Sequence, residues 1–294
     1  MLVAVRGATN GRFMKIVMVA TATHISDSRR PLIQMEGVKV DFGRQHVLRD
    51  IDLTVSRGKT LAVIGESGCG KTVLLKTIIG LLRPTRGSVR FDGRNLAELS
   101  ERELTGQRIR FGFLFQQAAL FDSMTIAQNI GFSLRQHTNK GANEIRNVVL
   151  ARLAEVGLPE NILGKKPAEL SGGMRKRVGL ARALALEPEI MLYDEPTTGL
   201  DPIMSDVINE LILSTRRQHP VTSIVVTHDM RTARKVADRV VMLYPLPRLR
   251  ADEPQIIYDG PSDRIEQAAD NRVSQFVRGE ARERLMEMRQ LNGR

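Results

Sequence analysis

Cysteine is almost absent from the sequence: the 294 residues contain one, Cys69. A single thiol excludes an internal disulfide framework and is typical of a reducing compartment. The sequence also lacks any uninterrupted run of about 18 apolar residues, so we expect that the chain does not itself cross a membrane. Internal repeats and low-complexity segments are missing as well. These absences leave a globular chain as the starting interpretation.

The composition bounds the size of the core and the kind of partner. Hydrophobic residues make up 42% of the chain, enough to bury a full core in one large domain or in one domain with a small subdomain. The formal net charge is +11. Such a charge indicates an anionic neighbour, either nucleic acid or an acidic membrane face, and does not choose between them.

Residues 1–31 are predicted to form a flexible extension. They contain five basic side chains and one acidic side chain, so much of the positive charge lies in a solvated tail. The segment FMKIVMVATA includes Ala20-Thr21-Ala22, which imitates the cleavage site of a secretory signal. Its apolar part is too short to span a bilayer. We therefore expect an extension rather than a secretory signal.

From residue 32 onward, the spacing of apolar residues predicts an α/β fold. LIQMEGVKVDF and HVLRDIDLTV alternate as half-buried strands do, with a turn at Gly43-Arg44 between them. Short apolar strands are predicted at residues 60–64 and in IRFGFLF, EIMLYDE and TSIVVTHD. Helical patterns separate them, which indicates a mainly parallel sheet covered by helices. Residues 117–168 have no strong strand signal and are predicted to be a helical insertion.

The segment GESGCGKT, residues 65–72, fits the pattern of a phosphate-binding loop, with a strand predicted before it and a helix over residues 71–82 after it. The glycines permit a loop whose N–H groups wrap a β-phosphate, Lys71 supplies positive charge, and Thr72 offers a hydroxyl to Mg²⁺. We therefore predict a site for ATP and Mg²⁺. Its loop residues are Gly65, Glu66, Ser67, Gly68, Cys69, Gly70, Lys71 and Thr72.

Two adjacent carboxylates end the apolar stretch EIMLYDE. Adjacent side chains of a strand point in different directions, so the two carboxylates are expected to have different roles. Asp194 suits the Mg²⁺ shell, and Glu195 can polarise the attacking water as general base. VVTHD ends another strand at the sheet edge where ligands of open α/β folds gather. His228 is expected there to hold a γ-phosphate, or to hold the water and Glu195 in line.

The segment LSGGMRKRVGLARAL, residues 170–184, raises a separate question. Ser171 is a preferred helix N-cap, and Gly172 and Gly173 let a ligand approach the backbone closely. The N-terminus of a helix attracts anions. No lysine-bearing phosphate loop lies beside this one in the sequence, so its ligand must come from elsewhere in the chain or from another chain.

GESGCGKT, FQQ, LSGGM, LYDE, GLD and THD occur in the order found in the ATP-binding cassette (ABC) ATPases, and the chain resembles that family over residues 32–263. The resemblance implies a P-loop NTPase with a mainly parallel core, an antiparallel β subdomain, and a helical subdomain at about 117–180. It makes Phe42 the aromatic residue that stacks on adenine. It makes Gln116 the glutamine that touches Mg²⁺ or water and senses a permease.

The same resemblance answers the question that LSGGM raises. In the family, two cassettes face each other head to tail and sandwich two ATP molecules. Ser171, Gly172 and Gly173 would then hold the γ-phosphate of the ATP bound to a second copy of the chain. Asp201 becomes the aspartate of the D-loop, and His228 becomes the switch histidine.

Less common residues narrow the resemblance further. Met174 follows SGG where many transporter cassettes have glutamine, and FGFLFQQAALFDSMTIAQNIGFSLRQHT also resembles the MlaF-like ATPases of the Mla and Mce-associated phospholipid transporters. These matches imply a phospholipid cargo, a transmembrane permease subunit and an Mce-domain lipid-binding protein. They imply a cytoplasmic ATPase that is peripheral on the inner membrane through its permease.

Besides the extension, one segment departs from the cassette pattern, and a tail follows the cassette. YPLPRLRADEPQIIYDG makes the hairpin after Tyr244 longer than usual, and we expect it not to touch the ATP site. Residues 264–294 are predicted to be a helical tail with Val273, Phe276 and Val277 on one face, followed by Leu285, Met288 and Leu291 at three-residue steps. The tail would dock on the partner ATPase or a small accessory subunit, or cover its own domain.

Other functions remain open from the residues alone. A cassette ATPase that acts on nucleic acid would suit the charge, but such proteins usually pair two cassettes in one chain, and this chain has one set of motifs. We therefore expect no nucleic-acid partner. A transporter ATPase for amino acids, a drug or a solvent is the stronger alternative. A non-enzymatic binding module is disfavoured because Glu195 and His228 are both present.

Overall fold

The computed structural model describes residues 30–281. Within this range ten strands form two sheets. In chain order the strands are β1 (Ile33–Phe42), β2 (Gln45–Val55), β3 (Thr60–Ile64), β4 (Arg86–Phe91), β5 (Arg94–Asn95), β6 (Phe111–Leu114), β7 (Ile190–Asp194), β8 (Thr222–Val226), β9 (Arg239–Leu243) and β10 (Ile256–Pro261). The α-helices are α1 (Lys71–Ile78), α2 (Glu101–Arg108), α3 (Ile126–His137), α4 (Ala142–Glu155), α5 (Gly172–Leu184), α6 (Pro202–Gln218), α7 (Met230–Val236) and α8 (Asn271–Arg278).

The smaller sheet is antiparallel, with the strand order β2-β1-β4-β5. A two-residue turn at Gly43-Arg44 joins β1 to β2, and Gly43 has a φ of 60° that favours glycine. The predicted alternation is confirmed apart from one irregularity between Met35 and Val38: Ile33, Met35, Val38 and Val40 are buried, and the residues between them are more exposed. This sheet and α1 enclose the first part of the core.

The larger sheet has the order β10-β9-β3-β8-β7-β6 and is parallel except for β10. Every residue of β3, β7 and β8 is buried. Such continuous burial is expected of a parallel sheet with helices on both faces. The predicted mainly parallel core is therefore confirmed, and the carboxyl ends of β3, β7 and β8 meet at one edge.

Three helices follow β6 without an intervening strand, as the missing strand signal predicts. The start of α3 has a capping box, in which Thr125 Oγ1 accepts from the backbone N–H of Gln128 and Gln128 Oε1 accepts from that of Thr125. Apolar residues of α3, α4 and α5 share a buried cluster with Met191 and Tyr193 of β7. The helical region is thus anchored on the sheet through α5.

The helix after the phosphate-binding loop is shorter than the sequence predicts. The expected helix over residues 71–82 ends at Ile78. Gly80 has a φ of 71°, and the N–H groups of Leu81 and Leu82 both turn back to the carbonyl oxygen of Lys76. A glycine in this left-handed conformation ends the helix, and apolar periodicity alone does not reveal the conformation.

The first part of the predicted tail packs on its own domain. Helix α8 ends at Gly279, which has a φ of 69°. Val273 is fully buried, and Phe276 and Val277 pack with it against residues of β9 and α7. Leu285, Met288 and Leu291, like most of the predicted extension at 1–31, lie outside the described residues. Over residues 30–281, no helix is long and apolar enough to span a bilayer.

Candidate active site

The phosphate-binding loop, residues 65–70, joins the carboxyl end of β3 to the start of α1. Its outer glycines cannot be replaced without conflict. Gly65 has a φ of 146°, and a Cβ there would lie 2.3 Å from the carbonyl oxygen of Leu243. Gly70 has a φ of 102°, and a Cβ there would lie 2.9 Å from Leu48. The loop is therefore wedged between β9 and β2.

Lys71 and Thr72 begin α1 and turn their polar atoms toward the loop and the sheet edge. The ammonium of Lys71 donates to the carbonyl oxygens of Gly65 at 2.8 Å and Glu66 at 3.0 Å. It also lies 4.0 Å from Glu195 Oε1, and the Lys71 side chain is only 8% exposed. A buried cation here supplies the positive charge that polyphosphate requires.

Asp194 and Thr72 form a pair of hard oxygen donors. Thr72 Oγ1 lies 3.2 Å from each carboxylate oxygen of Asp194. Burial raises the pKa of Asp194, an effect that a nearby cation would oppose. Hydroxyl and carboxylate oxygens suit Mg²⁺, which usually takes one or two protein ligands beside waters and phosphates. No cluster of three or more His, Cys, Asp or Glu in the described range could hold a metal. Thr72 and Asp194 therefore fit Mg²⁺ only if phosphate oxygens and waters supply the other ligands.

Glu195 follows β7 in a left-handed conformation with a φ of 50°. Its backbone N–H donates to the carbonyl oxygen of Val226 at 2.9 Å, which fixes it beside β8. Its Oε2 lies 2.8 Å from His228 Nδ1 and accepts from Thr198 Oγ1 at 3.1 Å. The two carboxylates thus point to different partners, Asp194 to Thr72 and Glu195 to His228.

A cavity of about 480 Å³ opens at this edge of the sheets. It is lined by predicted residues of the site together with three that the sequence reasoning missed, Gln45, Val47 and Val73; the predicted ones are Phe42, Ser67, Gly68, Gly70, Lys71, Thr72, Gln116, Glu195 and His228. Phe42 is 48% exposed at the end of β1. Phe42 ends β1 and pairs with Gln45 at the start of β2, so Gln45 and Val47 also lie at the cavity. The predicted hairpin of β1 and β2 could have indicated these two residues.

Lys176 is a buried residue of the site that the sequence reasoning missed. Its ammonium donates to the carbonyl oxygens of Glu195 at 3.1 Å, Pro196 at 2.8 Å and Thr198 at 2.8 Å. The residue is 6% exposed, and burial lowers its pKa to about 8. Lys176 therefore ties α5 to the loop that carries Glu195. The local sequence does not distinguish Lys176 from the other basic residues of α5.

The remaining predicted residues do not line this cavity. Ser171 Oγ caps α5 by accepting from the N–H of Met174 at 3.3 Å, and Asp201 Oδ1 caps α6 by accepting from that of Met204 at 2.9 Å. Ser171, Gly172 and Asp201 are exposed. A Cβ on Gly173 would lie 2.8 Å from Met204, so the two helix starts are in close contact. One chain assembles the cavity and a separate exposed pair of helix N-termini.

Cys69 is 1% exposed and belongs to the core rather than to the cavity lining, and burial raises the pKa of its thiol. One expectation about the loop is wrong. The long hairpin after Tyr244, expected to be remote, does touch the loop. Arg248 pairs with Glu66 at 2.5 Å, and Gln255 Nε2 donates to the Cys69 carbonyl oxygen at 3.1 Å.

Comparison with known proteins shows which family the chain belongs to. The family model described as "ABC transporter" matches residues 48–198, just over half of the chain. The chain is 41% identical over 250 residues to the "Intermembrane phospholipid transport system ATP-binding protein MlaF" of Haemophilus influenzae, covering 85% of this chain and 91% of that one.

A mycobacterial relative and a solved structure extend the comparison. The "Probable ribonucleotide transport ATP-binding protein mkl" of Mycobacterium tuberculosis is 42% identical over 247 residues, which are 84% of this chain and 66% of that relative's length. This chain thus spans just under two thirds of the mycobacterial protein. The structure titled "Dimeric structure of a post-hydrolysis state of the ATP-binding cassette MJ0796 bound to ADP and Pi" has a TM-score of 0.67 and 32% identity over 72% of this chain and 94% of that chain.

Proposed function

The chain belongs to the ABC transporter family, and we propose that it is the ATP-hydrolysing subunit that drives a separate permease for phospholipid. The observation that carries the ATPase assignment is the single cavity shared by Lys71, Thr72, Glu195 and His228. A cation, a hydroxyl, a carboxylate and an imidazole at the end of a phosphate-binding loop are the groups that phosphoryl transfer to water requires.

Each side chain has a role that its geometry supports. Lys71 binds the β- and γ-phosphate oxygens, and Thr72 with Asp194 would hold Mg²⁺, which neutralises charge on the phosphates when bound. Glu195 accepts the proton of the attacking water. His228 Nδ1, 2.8 Å from Glu195 Oε2, holds that carboxylate in line. Phe42 stacks on adenine, and Gln116, which lines the same cavity, contacts Mg²⁺ or water.

A second copy of the chain completes each site. Ser171 and Gly172 stand at an exposed helix start with free N–H groups, which suit a γ-phosphate, and they lie outside their own cavity. In an isologous dimer the same patch is used twice, so each helix start reaches the partner's ATP and both sites form together. Asp201, beside this start, lies at the same interface. Support comes from MJ0796, whose structure is titled as dimeric.

A groove between β6 and the helical region is the surface that we assign to the permease. It is lined by Phe113, Phe115, Phe121, Phe132 and Arg182, and two of these rings are more than a third exposed. Exposed aromatic rings beside a cation are typical of a site for an amphipathic partner segment. Because Gln116 directly follows Phe115, a permease segment in this groove would adjoin the ATP cavity. The complex would hold the chain at the cytoplasmic face of the inner membrane.

The cargo is proposed from the relatives. The Haemophilus influenzae protein, of which this chain covers 91%, is named for intermembrane phospholipid transport. The partners proposed here, a permease and an Mce-domain lipid-binding protein, are those that the sequence resemblance implies. The Mycobacterium tuberculosis relative is named for ribonucleotide transport and matches over a smaller share of its length. Phospholipid is therefore the first candidate cargo and ribonucleotide the second.

The test is transport by the purified complex with its permease. Lipids bound to the detergent-extracted complex are identified by mass spectrometry, and ATP-driven transfer of labelled phospholipid between vesicles is compared with uptake of labelled ribonucleotide. We expect phospholipid transfer in the wild type and none with Glu195→Gln. Ribonucleotide uptake without lipid transfer would show that the cargo is ribonucleotide and not phospholipid. Absence of ATP hydrolysis under these conditions would contradict the function itself.

A further inference from the structure

The connection between β9 and β10, residues 244–255, passes along the side of the phosphate-binding loop away from the cavity. Burial holds its two ends, and hydrogen bonds to its backbone hold the part between them. Tyr244 is 4% exposed and Gln255 is 1% exposed, whereas Arg250 between them is exposed. Arg49 Nη2 of β2 donates to the carbonyl oxygens of Arg250 at 2.9 Å and Glu253 at 2.6 Å. We call this segment the β9–β10 connection.

Gln255 joins the two elements that bound the cavity. Its Oε1 accepts from the N–H of Arg49 at 2.8 Å, and its Nε2 donates to the carbonyl oxygens of Val47 at 3.0 Å and Cys69 at 3.1 Å. A buried amide with three such hydrogen bonds fixes the distance between β2 and the loop. The β9–β10 connection is therefore ordered with respect to the loop, and Arg248 within it has a defined position.

Arg248 brings a positive charge to the acidic residue of the loop. Its Nη1 lies 2.5 Å from Glu66 Oε1, and the two side chains are 18% and 24% exposed. The guanidinium also lies 4.7 Å from the ring centroid of Tyr244, and Arg272 of α8 lies 4.9 Å from the same centroid. These contacts hold Arg248 against a rigid aromatic surface, so its charge stays beside Glu66.

Glu66 is the group whose charge matters for a polyphosphate ligand. It is the second residue of the loop, and its carbonyl oxygen accepts from the ammonium of Lys71 at 3.0 Å. A carboxylate on the second residue of this loop repels the negative charge of ATP unless a cation compensates it, and water screens the repulsion only in part because the Glu66 side chain is 24% exposed. Resting on the ATP site proposed above, we propose that Arg248 is a positioning residue for ATP binding, which holds Glu66 and cancels its charge.

The experiment measures ATP affinity by calorimetry in Arg248→Met, which retains an aliphatic side chain but loses the charge. Arg250→Met is the matched control, since it removes the same charge from the exposed part of the same connection. We expect Arg248→Met to weaken ATP binding about tenfold at low salt, with a smaller loss at high salt. The turnover number at saturating ATP should change by less than about twofold, because the ion pair does not contact the reacting atoms.

The second arm distinguishes charge compensation from a merely structural role. In a Glu66→Gln background, Arg248→Met should weaken binding by less than about twofold, since no carboxylate remains to be compensated. Arg248→Lys should recover most of the affinity because it retains the charge. Equal losses with and without Glu66, or a loss in Arg250→Met as large as in Arg248→Met, would overturn the proposal. If the wild type itself does not bind ATP, the proposed function fails instead.

Discussion

Glu195 stands in a conformation that few non-glycine residues adopt, directly after a fully buried strand. Its φ of 50°, its N–H bond to Val226 and its contact with His228 place one carboxylate within 4.0 Å of the Lys71 ammonium. Strained residues of this kind persist where the surroundings fix them and are frequent at active sites. The surroundings here include the three carbonyl contacts of Lys176.

The role of Glu195 as general base leads to a first prediction. Glu195→Gln keeps the shape of the side chain and removes the base, so ATP hydrolysis should fall by about 10²-fold or more while ATP binding is retained. The control is Glu210→Gln, a change of the same kind at an exposed position of α6. Steady-state phosphate release and ATP affinity are measured in both. Near-normal turnover in Glu195→Gln would assign the base to another group.

The lowered pKa of Lys176 leads to a prediction about pH. Burial holds this pKa at about 8, below its ordinary value of 10.5, while the Glu195 carboxylate opposes the shift. Arg175 and Asp122 line a second cavity together with Lys176. Above about pH 8 the ammonium becomes a neutral amine with fewer donors, so its hold on the loop weakens and the turnover number should decline. Lys176→Arg stays charged, so its decline should begin at higher pH.

Stability should respond to pH in the opposite sense, which separates the two effects. Between about pH 8 and 10.5 the unfolded state keeps the Lys176 proton that the folded state has lost. The unfolded state then binds more protons, so the contribution of Lys176 to the free energy of unfolding rises with pH. Two results would contradict this role of Lys176. One is a turnover number that falls with pH only where the free energy of unfolding also falls, and the other is a pH profile of turnover that is the same in Lys176→Arg as in the wild type.

At the scale of residues, the sequence predicted groups whose chemistry is encoded by local spacing. GESGCGKT, LYDE and THD each lie within eight residues, and the structure brings their side chains to one cavity. Contacts between distant positions were not predictable from such spacing. Gln255 meets Cys69 across 186 positions of the sequence, and Lys176 meets Glu195 across 19. Neither residue type identifies its partner without the fold.

At the scale of elements, the phosphate-binding loop is confined between neighbouring strands rather than suspended over solvent. Gly65 packs against the end of β9, and Gly70 packs against Leu48 and Val47 of β2. The strands β1, β2, β3, β6, β7 and β8 were predicted correctly because their burial is continuous or alternating. The end of α1 and the contacts of the β9–β10 connection were not, because they depend on a left-handed glycine and on hydrogen bonds to remote backbone atoms.

The confinement of the loop predicts the effect of a single methyl group. Gly70→Ala places a Cβ at a φ of 102° and 3.0 Å from the carbonyl oxygen of Val47. The loop must shift to accept it, so ATP affinity should fall by at least about tenfold. Gly58→Ala is the control, since Gly58 has a φ of 67° with open space around it. That change should lower the free energy of unfolding by roughly 1 kcal/mol and leave ATP affinity unchanged.

Calorimetric affinity and urea unfolding, measured on both glycine variants, check this prediction. If Gly70→Ala binds ATP as tightly as Gly58→Ala does, the contact with β2 does not set the geometry of the loop. A loss of affinity in both variants would instead indicate a general destabilisation.

At the scale of the whole molecule, one chain carries two functional surfaces, and the predicted helix starts do not line the ATP cavity of their own chain. The cavity contains Lys71 and Glu195, and the exposed helix starts contain Ser171 and Asp201. Lys176 connects them, because it belongs to α5, which Ser171 caps, and binds the loop of Glu195. In a two-fold dimer, the start of α5 of one subunit would contact the ATP bound to the partner. Lys176 would therefore connect that contact to Glu195 in the ATP site of the same subunit.

The most direct test of completion by a second copy uses mixed dimers bound to the permease. One tagged subunit carries Ser171→Arg and the other carries Lys71→Ala. Each variant alone gives two damaged sites, since every site lacks either a functional helix start or a functional loop. In the mixed dimer, the intact Lys71 of one subunit faces the intact Ser171 of the other, so one whole site survives and the other is doubly damaged.

Phosphate release from the purified mixed dimer is compared with release from both parent dimers and from the wild type. We expect the mixed dimer to hydrolyse ATP clearly faster than either parent, although below half of the wild-type rate if the two sites must act together. A site built within one chain leaves every site of the mixture damaged. A mixed dimer as inactive as its parents, under conditions in which the wild type turns over, would contradict the assignment of Ser171 to the ATP of a second copy.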